Sequence, residues 1–273
     1  YYYYNSLDET EQNIIINMFN EYENDGTINS DIYGLSTFDS KNIIIEEEFW
    51  SGCENGDIDF KNGWGTFIHN TNPSHSSLTI HVNHPINDYL STMFGGKLFN
   101  NVGAEWLAIA GAHRYALIDD ITHCNEDLDY NCGADIARDF YIVGDDTTHY
   151  ETAFQLFHEI NSNENTQTIS IHAHQYSEYW SGFFSKTGII ITNGCDVNGN
   201  FILPSDLTSS INHKLNQLEI WDESDCNYET GSVIVGETFD AFNGYPYQHL
   251  GGCKNPQGKY TNHNNVTSDE WIQ

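Results

Sequence analysis

The sequence predicts an α/β domain built on a largely parallel sheet, with long loops tied by disulfides. Three observations carry that expectation. A strand, a helix and a second strand follow one another between Leu78 and Gly111, and strand-helix-strand units close right-handed onto parallel sheets. The pattern resumes after an acidic insertion with another helix and a strand from Thr168 to His174. Six cysteines, none in a Cys-x-x-Cys pair, lie in Asn- and Gly-rich stretches. That usage suits disulfides in an oxidising compartment better than a zinc ribbon.

In chain order, Ser6-Leu7-Asp8-Glu9 reads as a capping box. The helix it opens is expected to run to about Asn20, burying Leu7, Ile14, Ile15, Met18 and Phe19, and to end before Asn24-Asp25-Gly26. Ile43-Ile44-Ile45 is a short buried strand or a helix start, because three residues carry no period. Trp64 to His69 and Leu78 to Val82 are rich in aromatic and β-branched residues and read as strands, with turn chemistry between them that suits a hairpin. Pro85 suits the first turn of a helix. Ile86, Leu90, Met93, Phe94 and Leu98 then follow helical spacing, and Gly103 is the expected stop.

Trp106 to Gly111 is the most apolar stretch and reads as a fully buried strand. Residues 115–147 form the acidic insertion. Thr148-His149-Tyr150-Glu151 is a second capping box, opening a helix with Ala153, Phe154, Phe157 and Ile160 on one face. A further helix over Ser205 to Leu218 and a strand over Ser232 to Val235 complete the reading.

Charge narrows the function. Nine basic against 40 acidic residues give a formal charge of −31. Such a field repels phosphate backbones and anionic lipid, which argues against nucleic-acid and membrane-surface roles. No apolar run reaches the ~20 residues that span a bilayer. The cysteines and the opening Tyr1 to Tyr4 read as a mature, secreted chain, and Asn265-Val266-Thr267 is a glycosylation sequon. The length of 273 residues favours one domain over 1–273. Cys124 and Cys132 bracket one short acidic loop and are the best single disulfide pair.

Three strands end in histidine, at His81 to His84, at His113 and at His172 to His174. Ligands gather beyond the carboxyl ends of parallel strands. If Pro85 opens a helix, His84 caps it and Asp88 lies one turn on, so an imidazole and a carboxylate share one end. His172 from a neighbouring strand then completes an open metal site with room for water, as in catalytic zinc centres. The competing reading makes His84 and Asp88 simple helix caps. His81 points to the other face from Val82 and reads as a core or supporting histidine. His174 shares a face with His172 and is either the alternative ligand or a proton carrier. Arg114 suits a carboxylate or a developing oxyanion through its planar fork, or else an ion pair with the acidic loop. Calcium is a weaker expectation, from Asp196 to Asn200 and from Asp119, Asp120, Glu126, Asp127 and Asp129.

Gly63-Trp64-Gly65-Thr66, the His84-Pro85-x-x-Asp88 turn, Ala110-Gly111-Ala112-His113-Arg114, Ala134-Asp135-Ile136-Ala137, the Phe154-to-His158 helix and Ile171-His172 recur in that order. Together they resemble bacterial proteins related to N-formylglutamate amidohydrolases, poly-γ-glutamate hydrolases and zinc carboxypeptidases. The resemblance covers roughly Gly63 to His174, with a weaker echo at Asn255 to Lys259. It implies a three-layer α/β sandwich with a mixed, mainly parallel central sheet. Residues 63–273 would then be a hydrolase-like core, and 1–62 an N-terminal helix and extension.

It also implies a zinc ion held by His84, Asp88 and His172, with Arg114 on substrate carboxylate. The zinc carboxypeptidases place a general-base glutamate near the C-terminus, where Glu270 stands here. They use a His-x-x-Glu pair, whereas this chain has aspartate four residues after its histidine. The leading expectation is therefore a secreted zinc hydrolase of amide bonds in peptide-like or acidic substrates. The rival is a non-catalytic extracellular protein that self-assembles on the same scaffold through its tyrosine-rich N-terminus. A calcium-stabilised glycan-binding module with Trp180, Trp221 and Tyr245 is a third.

Overall fold

The computed structural model of the chain describes residues 7–46, 63–85, 88, 90–111, 153–162, 165–172, 189–191, 193, 209–211, 213–214, 232–234 and 271–272. Two compact units are present, Tyr1–Ala173 and His174–Gln273.

The first unit opens with α1, Glu9–Asp25. Its capping box is Asp8 with Glu11, not Ser6 with Glu9. The Glu11 N–H donates to Asp8 Oδ1 at 2.8 Å and the Asp8 N–H donates to Glu11 Oε2 at 2.9 Å. The acidic sequence offers the same four-residue spacing twice, and the second occurrence wins. The helix also outlasts the expected end at Asn20. Ile15, Met18, Phe19 and Tyr22 continue one buried stripe, while Ile14 faces solvent. Gly26 stops it in the left-handed region at φ 69°, its N–H donating to the Tyr22 carbonyl at 2.8 Å, a conformation that favours glycine.

Two strands follow, β1 (Tyr33–Phe38) and β2 (Lys41–Glu46), so the isoleucine triplet is a strand. Asp39 and Ser40 join them with φ of 47° and 61°, the paired left-handed geometry that matches strand twist in two-residue hairpins. Next come β3 (Thr66–Asn70), β4 (His75–Val82), α2 (Ser91–Val102) and β5 (Ala104–Ile109). After the acidic segment come α3 (Ala153–Asn161) and β6 (Gln167–Ile171).

These six strands form a mixed sheet in the order β1-β2-β3-β5-β4-β6. The expected β3–β4 hairpin does not form, because β5 lies between the two. Its central place follows from its side chains: Trp106 and Ala108 are buried on one face and Leu107 on the other. Nor is the sheet mainly parallel. Pairs β1·β2, β2·β3 and β3·β5 are antiparallel, and only β4·β5 and β4·β6 are parallel. The N-terminal hairpin, expected only as an extension, lengthens the sheet on its antiparallel side.

Helices cover both faces. On one, α1 and α3 pack together over Ile44, Phe67, Trp106 and Ala108. Rings dominate this core: Phe157 lies 4.7 Å from Phe67, 5.3 Å from Phe19 and 5.2 Å from Trp106 between centroids. On the other face α2 lies on β4 and β5. Of the apolar residues read as its buried stripe, Leu90, Met93 and Phe94 are exposed and Leu98 packs inward; Ser91, Gly95 and Phe99 also face the sheet, and Ile86 lies outside the described residues. A Cβ at Gly95 would meet Val82 Cγ2 at 2.5 Å. Backbone closeness at Gly95 and the buried Phe99 ring together seat this helix. Gly103 ends it as expected, at φ 64°.

In the second unit, β7 (Ile189–Ile191) pairs in parallel with β8 (Ser232–Ile234), and β9 is Trp271–Ile272. Residues 209–211 and 213–214 are helical, within the expected 205–218 helix. Among the described residues no helix is long and apolar enough to cross a membrane. All six cysteines, the Thr148 capping box, the sequon and both calcium-like segments lie outside the described residues.

Candidate metal centre

Strands β4 and β6 run in parallel with Val82 opposite Ile171. The chain therefore leaves both strands at the same edge of the sheet, bringing the segment from Asn83 beside His172. This is the carboxyl edge at which ligands collect.

After His84 the chain folds back on itself. The Asp88 N–H donates to the His84 carbonyl at 3.0 Å, and the Ser91 N–H donates to the Asp88 carbonyl at 2.9 Å. Ser91 Oγ also donates to the His84 carbonyl at 3.3 Å, and Thr92 Oγ1 donates to that of Pro85 at 3.2 Å. Pro85 does not open α2. The helix begins at Ser91, after Leu90 adopts φ 67°, which no continuous right-handed helix accommodates. The single i to i+4 hydrogen bond is nonetheless one helical turn, so His84 and Asp88 face each other as a true helix would have placed them.

Three donor atoms converge. His84 Nδ1 lies 3.1 Å from Asp88 Oδ2, His172 Nδ1 lies 3.5 Å from the same oxygen, and the two Nδ1 atoms are 3.3 Å apart. This triangle can be tested against metal geometry. Zinc bonds of about 2.0–2.1 Å at tetrahedral angles set donors about 3.3–3.4 Å apart, whereas octahedral angles set them about 3.0 Å apart. The observed edges bracket the tetrahedral value. His84, Asp88 and His172 can thus hold one metal ion together. Two imidazoles with one carboxylate suit zinc or another transition metal, and not calcium, which takes oxygen donors.

Electrostatics agree. Burial alone would raise the Asp88 carboxyl, but the His172 and His84 imidazoles beside it hold it well below the usual carboxylate range. It is ionised at any physiological pH.

The other expected site residues stand differently. Arg114, His174 and Glu270 lie outside the described residues. His81 is a buried core histidine, as read, its ring set edge-on to Phe154 at 4.8 Å and to His158 at 5.1 Å. Reading the sequence missed Ser170 and Asn83. Ser170 Oγ lies 3.0 Å from His172 Nε2 and donates to Asn83 Oδ1 at 2.9 Å. The signal was there in the strand period, since Ser170 precedes His172 by two residues and shares its face.

His81 gives the unit a pH dependence. Burial, then the nearby charges of His158 and His172, push its imidazole well below 6.5. Burial likewise lowers His69. As pH falls through 6.5 the unfolded chain takes up these protons first, so stability is full above that value and lost below it. Each group contributes a slope of at most about 1.4 kcal/mol per pH unit. Urea titrations of zinc-free protein are expected to show stability falling by about 1–2 kcal/mol per unit below pH ~6.5. His81→Leu should remove roughly half of that slope; an unchanged slope would exclude His81 as its source.

Comparison with family models, with curated proteins and with solved structures returns no match for this chain.

Proposed function

We propose that the chain is a secreted zinc-dependent hydrolase of amide bonds in peptide-like or acidic substrates. One observation carries the reading: the three donor atoms of His84, Asp88 and His172, spaced 3.1, 3.3 and 3.5 Å apart. Among the described residues three donors converge, the number that catalytic zinc sites take from the protein, whereas structural sites close with four. When bound, zinc supplies Lewis acidity, polarising a carbonyl and acidifying water.

The chain's own residues do the rest. The ionised Asp88 lowers the charge of the site and competes for neither proton nor substrate hydroxyl. His84 and His172 present their Nδ1 atoms from a turn and from a strand end, both anchored by backbone hydrogen bonds. In the proposal Arg114 binds the substrate's carboxylate, Glu270 is the general base and His174 is the proton carrier. An arginine at the site also answers the net charge of −31, which otherwise repels acidic substrates.

The test is a cleavage assay on purified protein with a panel of N-acylated amino acids and short acidic peptides, read by mass spectrometry. Amide cleavage that stops on chelation and returns with zinc is the expected result. Zinc-loaded protein that leaves the whole panel intact would contradict the hydrolase reading.

A further inference from the structure

The hydrogen-bond chain behind His172 sets which of its nitrogens carries a proton. A serine hydroxyl has one hydrogen and two lone pairs. In Ser170 that hydrogen goes to Asn83 Oδ1 at 2.9 Å. Toward His172 Nε2, 3.0 Å away, the hydroxyl therefore offers only a lone pair, and Nε2 must be the donor. In a neutral imidazole the other nitrogen is then unprotonated. That nitrogen is Nδ1, the atom turned toward Asp88 and His84 at 3.5 and 3.3 Å. Metals accept only the unprotonated nitrogen.

We infer that Ser170, oriented by Asn83, is a positioning residue that fixes His172 as its Nε2–H tautomer and holds Nδ1 ready for the metal. The inference rests on the zinc reading above and extends it to two residues that supply none of the three donor atoms. The sheet register makes the arrangement. His81 stands opposite Ser170 and Val82 opposite Ile171, so Asn83 continues β4 on the face that carries Ser170 and His172. Both Asn83 and Ser170 are buried, at 0% and 3% exposure. Solvent therefore offers the hydroxyl no rival acceptor, and its hydrogen lies on the shorter contact, to the amide oxygen.

Two measurements on the full chain test this. In metal-free wild-type protein, well above the imidazole titration range, nitrogen-15 spectra of the side chain should show His172 protonated at Nε2. A proton on Nδ1 would overturn the inference without any substitution being made. Zinc affinity, read by competition with a chromophoric chelator, should fall about 10- to 100-fold in Ser170→Ala. Ser170→Thr, which keeps the hydroxyl on a strand that tolerates β-branching, should restore it to within a few-fold. If Ser170→Ala binds zinc as tightly as wild type while His84→Ala does not, the positioning role is wrong and the metal site stands. If His84→Ala also binds unchanged, the metal reading itself has failed.

Discussion

Replacing His84 by alanine is expected to take the protein from about one zinc per chain to none after ordinary dialysis. A four-coordinate zinc site is worth about 10–16 kcal/mol, so each ligand contributes about 2.5–4 kcal/mol, or roughly 10²- to 10³-fold in affinity. His84 is one of three protein donors, and its loss leaves His172 and Asp88 alone. Asp88→Asn should do comparable damage while keeping size and shape, because it removes the charge that two imidazoles hold ionised. The fold should survive both changes. His84 and Asp88 sit in the turn between β4 and α2, outside the two apolar clusters that hold the sheet and its helices together. Metal analysis with circular dichroism checks both points at once; a folded His84→Ala protein that retains stoichiometric zinc would contradict the assignment.

The largest effect on stability is expected from Phe157→Ala. Phe157 is fully buried on α3, and its ring meets those of Phe19, Phe67 and Trp106. Among the described residues it is the one side chain joining α1, α3, β3 and β5 through aromatic contacts. Removing such a ring from a core costs about 3–5 kcal/mol, a large part of the ~5–15 kcal/mol that keeps a domain folded. Urea unfolding should show that loss as a lower midpoint. Zinc at a hundredfold excess over its Kd should return about 2.7 kcal/mol, since it binds the folded state alone. A loss below about 1 kcal/mol would mean that this cluster is not the core of the unit.

The metal site was more legible in the sequence than the sheet around it. His84, Asp88 and His172 could be picked out because a strand end, a proline turn and a second strand end each leave a local signature. The i to i+4 spacing of His84 and Asp88 brings them together whether the segment is a helix or one hydrogen-bonded turn. That robustness is why the two side chains meet as expected although the helix start is wrong.

Pairing partners were not legible in the same way. Nothing local to Thr66–Asn70 and His75–Val82 reveals that β5 inserts between them; that outcome depends on which strand can bury both faces. The antiparallel half was missed for a similar reason. Tyr33–Phe38 is exposed along most of its length, so it lacks the apolar alternation that marks a strand. On α2 the apolar spacing misled in part: Gly95 permits a contact that no hydrophobic scale registers, and Leu90, Met93 and Phe94 are left outside while Leu98 packs inward. Ser170 and Asn83 needed the register itself, because their partnership spans 87 positions.

The proposed function depends most on two histidines and one aspartate sharing a single zinc ion. X-ray absorption at the zinc edge of the loaded protein tests this directly. The expected spectrum has only nitrogen and oxygen neighbours at about 2.0–2.1 Å, with the outer-shell scattering of two imidazoles. Sulfur neighbours at about 2.3 Å would place the metal on the cysteines instead, and would contradict the assignment of His84, Asp88 and His172.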